Sequence, residues 1–260
     1  MVSRADIRQN KGKEHYSVAA TKGEFDTVFK HEAKIFFSHM FLVLNLTLGA
    51  IAPAILYLGF YMLPTLNGGS PIVSFSLPVI IIGLMLPRIP MNMAAISVVG
   101  EKVYKTGESL ISTSIDIRKA FYAKCAFPIV LGFISTIISA VLTLVTANIL
   151  NFTHDGTGIL LFESYEWILI FLTSFFVEII MIGITCYFSF KMKVPRNGTI
   201  VSSLLSFAPA GVYAVACYML PESYKLLFVV GITIVFGVFS FVIYRAMFSK
   251  LTHSTVMGLL

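Results

Sequence analysis

The sequence predicts an all-α membrane protein: six transmembrane helices, an N-terminal interfacial amphipathic helix before them, and a cytoplasmic coupling-helix loop between two of them. Three observations lead there. Hydrophobic residues make up 57% of the 260 and charged residues only 12%, with a mean hydropathy of +0.87, whereas ordinary soluble domains carry about 25% charge. The apolar residues gather into runs long enough to cross a hydrocarbon core of ~30 Å at ~1.5 Å per residue. The basic residues are also sorted. With six spans, the segments on one side hold seventeen of the 19 Lys and Arg residues, which makes that side cytoplasmic and puts both termini there. The net charge of +6 thus sets topology and meets anionic lipid headgroups; it does not call for nucleic acid.

Residues 1–22 are polar and mixed in charge and read as a cytoplasmic arm. Nothing in residues 1–38 has the apolar core and small-residue cleavage site of a signal peptide. Over 23–39 the pattern changes. Phe25, Val28, Phe29, Ala33, Phe36, Phe37 and Met40 recur at steps of three and four, while Asp26, Lys30 and Lys34 line another face. This is an amphipathic helix expected to lie in the headgroup layer.

The six-span domain, 40–250, follows, with spans at about 40–63, 72–99, 125–150, 167–190, 198–220 and 226–244. The second is interrupted by Pro78, Pro87 and Pro90 and carries Arg88, so a kinked or broken helix is expected. The polar loop after the third span contains Asp155, Glu163 and Glu166 without a Lys or Arg, and ends at Tyr165 and Trp167, placed for an aromatic belt. Glu178 stands near the middle of the fourth span, and Ser202, Ser203, Ser206, Ala208, Ala210 and Gly211 put small residues along the fifth. Residues 251–260 form a cytoplasmic tail. Cys125, Cys186 and Cys217 fall in or beside apolar runs and read as small buried hydrophobes.

No P-loop, HExxH, CxxC or GxSxG pattern is present, which argues against an enzyme and leaves any ATP chemistry to another subunit. The five histidines are scattered. Two features carry functional weight. Arg88 and Glu178 are intramembrane charges, each expensive in lipid unless it faces the bundle interior, a watery cavity or the other; they line a transport path or form a structural pair. The second feature is the polar island 100–124, longer than the ~2–8 residues usual between packed helices. Residues 104–111 can form a short helix bearing Glu108 and a Leu110/Ile111 apolar edge. Ser112, Thr113 and Ser114 then offer N-cap hydroxyls for a second helix from about Ile115, with Asp116 in its first turn and Arg118 and Lys119 toward water, while Ile117, Phe121 and Tyr122 face the membrane. An exposed apolar edge below the membrane suits docking into a partner's groove.

These residues carry a resemblance. Glu101, Lys102, Thr106, Glu108 and Leu110 match the loop that opens E-[KR]-E-x-G-T-x-E-x-L in permease subunits of ABC-2 type transporters, and Lys124 stands at its closing lysine; Val103, Lys105 and Gly107 depart from it. The chain resembles that family over about residues 23–250. The resemblance implies a bacterial plasma-membrane exporter subunit without a cofactor of its own. A soluble ATPase, two copies per complex, would bind ATP and Mg²⁺ and engage Glu101, Lys102, Thr106, Glu108, Leu110, Ile111, Asp116 and Arg118. A second permease copy, identical or a sister, would complete the path within the lipid. The expected cargo is hydrophobic or amphipathic, foremost an antimicrobial or cytolytic peptide. Two alternatives stand beside this: an ion-coupled secondary transporter using Arg88 and Glu178, or a peptide-immunity subunit of an ABC system.

Overall fold

A computed structural model describes residues 26, 28–34, 36–38, 40–66, 75–85, 90–95, 97, 117–153, 158–191, 200, 204 and 207–248. Every regular element among them is helical. In chain order they are Met40–Leu66 (α1), Ser76–Met85 (α2), Ile117–Thr153 (α3), Ser164–Trp167 (α4), Ser174–Lys191 (α5), Phe207–Ala214 (α6) and Glu222–Phe248 (α7). The π-helical stretch Ile168–Thr173 joins α4 to α5, and a second, Val215–Met219, follows α6. Positions 28–34, 36–38 and 90–95 are helical as well.

Four of the described helices are long and apolar enough to cross a bilayer: Val43–Met62, Phe121–Thr153, Ser164–Ser189 and Glu222–Ala246. They fall on the first, third, fourth and sixth expected spans. The second expected span is represented by α2, ten residues long, and by helical positions 90–95. The fifth is represented by the shorter apolar helix Pro209–Met219. Prolines explain where the described pieces of the second span begin. Pro78 is the third residue of α2, where a missing N–H removes no intrahelical bond, and the Val79 N–H opens the helix on the Phe75 carbonyl at 3.0 Å. Pro90 stands at the first of the helical positions 90–95, a place that its fixed φ suits.

Surrounded by lipid, helices gain little from excluding apolar surface, so the bundle rests on close packing and internal hydrogen bonds. α3 is its spine, packing along α1 on one side and α5 on another, while α5 also packs on α7. In one half of the bundle, Tyr57 stacks on Phe75 at 5.4 Å and Phe75 meets Phe162 edge-on at 4.8 Å. Ala140 and Ala147 are small enough for this aromatic layer to close on α3. Near the C-terminal end of α3, the Asn148 side-chain amide donates to the Leu160 carbonyl (2.9 Å) and its oxygen accepts the Leu160 N–H (2.8 Å). That two-way bond ties the returning chain to the helix.

The π-helical stretch before α5 shifts its carbonyls out of the ordinary ladder, and side chains meet them. Tyr213 Oη and Ser174 Oγ lie 2.8 Å apart, and both reach the Leu169 carbonyl, at 2.9 and 3.1 Å. Thr173 Oγ1 and Thr233 Oγ1 lie 2.6 Å apart, joining this stretch to α7, and Thr233 donates onward to the Val229 carbonyl. Interhelical hydrogen bonds in membranes contribute roughly 0.6 kcal/mol on average, up to ~1.7. Thr173→Val is therefore expected to destabilise the bundle by about 1 kcal/mol, and adding Thr233→Val should cost nothing further. Unfolding in mixed micelles of graded denaturing detergent checks both; an additive double variant would mean that the two hydroxyls do not interact.

Of the two belt aromatics, one differs from expectation. Tyr165 is buried instead of facing the headgroups: Lys225 lies 5.0 Å over its ring and bonds Glu222 at 2.7 Å. Trp167, half-exposed and stacked on Phe171 at 5.3 Å, does keep a face outward. Of the small residues expected along the fifth span, Gly211 does not pack within the chain, since an added Cβ would meet nothing within 4 Å, and Ser202, Ser203 and Ser206 lie outside the described residues.

Candidate functional site: a buried ion pair at one end of the bundle and a buried carboxyl at the centre

α3 runs for 37 residues, about 55 Å at ~1.5 Å per residue, so it outreaches the hydrocarbon core. Its first turns, continuous with the polar island, extend beyond it on the side assigned to the cytoplasm. There Lys124 turns inward. Its Nζ donates to Glu32 Oε1 at 2.6 Å and to Ser97 Oγ at 2.9 Å. Both charged residues are buried, Lys124 5% and Glu32 6% exposed.

An aromatic clasp surrounds the pair. Phe29 and Phe36 meet Phe127 edge-on, at 5.4 and 6.0 Å, and Met93 completes the cluster. The helical residues before α1 thus split their apolar positions between two surroundings. Phe29 and Phe36 seat on α3 and positions 90–97, whereas Phe37 and Met40 remain outward, 68% and 82% exposed. Phe121 differs from expectation too: it is buried in the protein, while Tyr122 stays exposed and stacks on Tyr244 at 6.2 Å.

At mid-span, Glu178 on α5 is completely buried. Its Oε1 accepts a hydrogen bond from Thr136 on α3 (3.3 Å), and its Oε2 has no partner among the described residues. Gly132 brings the helices close enough for this. A Cβ there would lie 2.7 Å from Pro90 Cγ and 2.9 Å from Glu178 Oε2. Shallow apolar grooves flank the spot. One, of about 220 Å³, lies between α1 and α3 and includes Ser135; the other, of about 120 Å³, lies among α5, α6 and α7 and includes Val177 and Met181.

No protein-family model, curated protein or solved structure matches the chain. Geometry and the loop pattern therefore carry the functional argument. Of the sequence-derived candidates, Glu101, Lys102, Thr106, Glu108, Leu110, Ile111, Asp116 and Arg88 lie outside the described residues, and Arg118 stands on the first turn of α3. Glu178 is placed where an intramembrane charge belongs, in the bundle interior. Glu32 and Ser97 were not singled out by sequence. The available signal was Glu32 itself, an acidic residue one helical turn before Phe36. All three cysteines are buried and free, and among the described residues no group of His, Cys, Asp and Glu is placed to hold a metal.

Proposed function

We propose that this chain is the membrane-spanning permease subunit of an ATP-driven ABC-2 type exporter. A separate soluble ATPase, present twice, supplies the energy, and a second permease copy completes the path. The chain spans the plasma membrane six times with both termini in the cytoplasm, and it moves a hydrophobic or amphipathic cargo, foremost an antimicrobial or cytolytic peptide.

The observation that supports this role is the buried Glu32–Lys124 pair with its Phe29/Phe36–Phe127 clasp. It fastens the helical residues before α1 to the base of α3, where the polar island feeds into the bundle. A push delivered to either element is passed to both. A charge pair held within aromatic packing transmits displacement because packed interfaces switch between discrete arrangements instead of deforming smoothly.

The test is co-purification with an ABC ATPase encoded beside the gene. Stable co-elution, with ATP hydrolysis altered by the permease and lost in Glu108→Arg with Leu110→Asp, is the expected result. A folded wild-type chain that neither retains the ATPase nor affects its hydrolysis would overturn the proposal.

A further inference from the structure

We propose that Glu178 is a proton-binding site, with Oε2 carrying a proton in the closed bundle. Such a site does not depend on how the chain is energised. From α3 come Gly132 and the Thr136 hydroxyl, which donates to Oε1; from positions 90–95 comes Pro90, across the same gap as Oε2. Met91 and Phe236 of α7 pack with the neighbouring Val177 and Met181. On α5 itself, Ser174 is one turn away and already committed to Tyr213 and the Leu169 carbonyl.

The Tyr213 hydroxyl, on α6, is engaged with Leu169 and Ser174. No ion pair reaches Glu178 among the described residues. Arg88, two positions before Pro90 in the sequence, lies outside them and is the charge that the test must address.

A carboxylate buried without a counter-charge at membrane depth is costly, and the group escapes that cost by taking a proton. Parting α3 from positions 90–95 would admit water to Oε2. The O–H bond then breaks, its electron pair stays on Oε2, and the proton passes to water. Closure reverses the step, so opening and closing exchange one proton per chain.

Infrared spectroscopy of the full chain in detergent at pH 7 tests this. The expected result is a carbonyl stretch of a buried carboxylic acid that shifts in D₂O and is absent from Glu178→Gln. Because Glu166 is also buried, the assignment rests on the variants. Thr136→Val should move the band without removing it, which keeps the test available should Glu178→Gln fail to fold. Gly132→Ala, pressing Pro90 and Glu178 apart, should speed hydrogen–deuterium exchange of the band at least ~10-fold, as expected when a sealed site opens more often. No such band in the wild type overturns the proposal. A band that emerges only in Arg88→Gln overturns it as well, by showing a carboxylate paired with Arg88. Exchange unchanged in Gly132→Ala would refute the gap beside Pro90 as the seal.

Discussion

Replacing Lys124 with Met is expected to destabilise the chain by about 3–5 kcal/mol, the usual effect of removing one partner from a buried ion pair. Glu32 would be left without its cation inside an aromatic clasp, at 6% exposure. Glu32→Gln should be milder, since an amide oxygen still accepts from the ammonium. Replacing both, Glu32→Leu with Lys124→Met, should recover most of the loss, because an apolar pair of similar volume suits the Phe29, Phe36 and Phe127 surroundings. Unfolding in detergent of the wild type, the two singles and the double gives the coupling directly. A coupling below about 1 kcal/mol would show a pair that behaves as if at the surface, and the fastening role assigned to it would fall. Activity should separate from stability here. If the chain is the proposed permease, the apolar double variant, which keeps the junction closed, should retain ATPase association while altering the response of hydrolysis to cargo.

Gly83→Ala is expected to cost about 3 kcal/mol or more. The new methyl would sit 2.5, 2.6 and 2.8 Å from three atoms of the Tyr213 ring. A flexible side chain would swing aside, but this ring is completely buried and its hydroxyl is fixed to the Leu169 carbonyl and Ser174. Overpacking by itself costs ~1–3 kcal/mol, and pulling the hydroxyl away adds ~1–3 kcal/mol for buried oxygens left short of partners. Tyr213→Leu relieves the clash and leaves Ser174 able to bond Leu169, already at 3.1 Å. Gly83→Ala should therefore be nearly neutral in a Tyr213→Leu background, a strongly non-additive result. Equal cost in both backgrounds would mean that α2 and α6 do not meet through this residue pair.

The long helices were legible because period and length leave little choice. Expected spans at 40–63, 125–150, 167–190 and 226–244 became Met40–Leu66, Ile117–Thr153, Ser164–Lys191 with its π-helical stretch, and Glu222–Phe248. The starts of α3 and α7 ran earlier than hydropathy indicated, since a helix does not end where its residues become polar. At Lys124 that difference matters: hydropathy places it in a loop, while helical continuity brings it onto the face that meets Glu32. The pair itself was not legible, because it joins residues 92 apart and nothing local to either announces the other. The buried state of Tyr165 escaped for a similar reason. Its cover, Lys225, comes from a helix 60 residues later. Glu178 could be read as an interior residue on cost alone, but its closeness to Pro90 depends on Gly132, whose absent side chain leaves no trace in a hydropathy pattern.

α3 behaves as a beam clamped at both supports. Near one end it is gripped by the Glu32–Lys124 pair and near the other by the two-way Asn148–Leu160 bond, about 36 Å apart along the axis at ~1.5 Å per residue. A rod held at one end can pivot or slide; held at two, it answers an end load by flexing in between. The weak section is already present. Pro128 gives the Lys124 carbonyl no helical donor, and Gly132 follows one turn on, opposite Glu178. Stress applied at the inner support would concentrate there and change the curvature of α3 beside the buried carboxyl, while the outer support holds still.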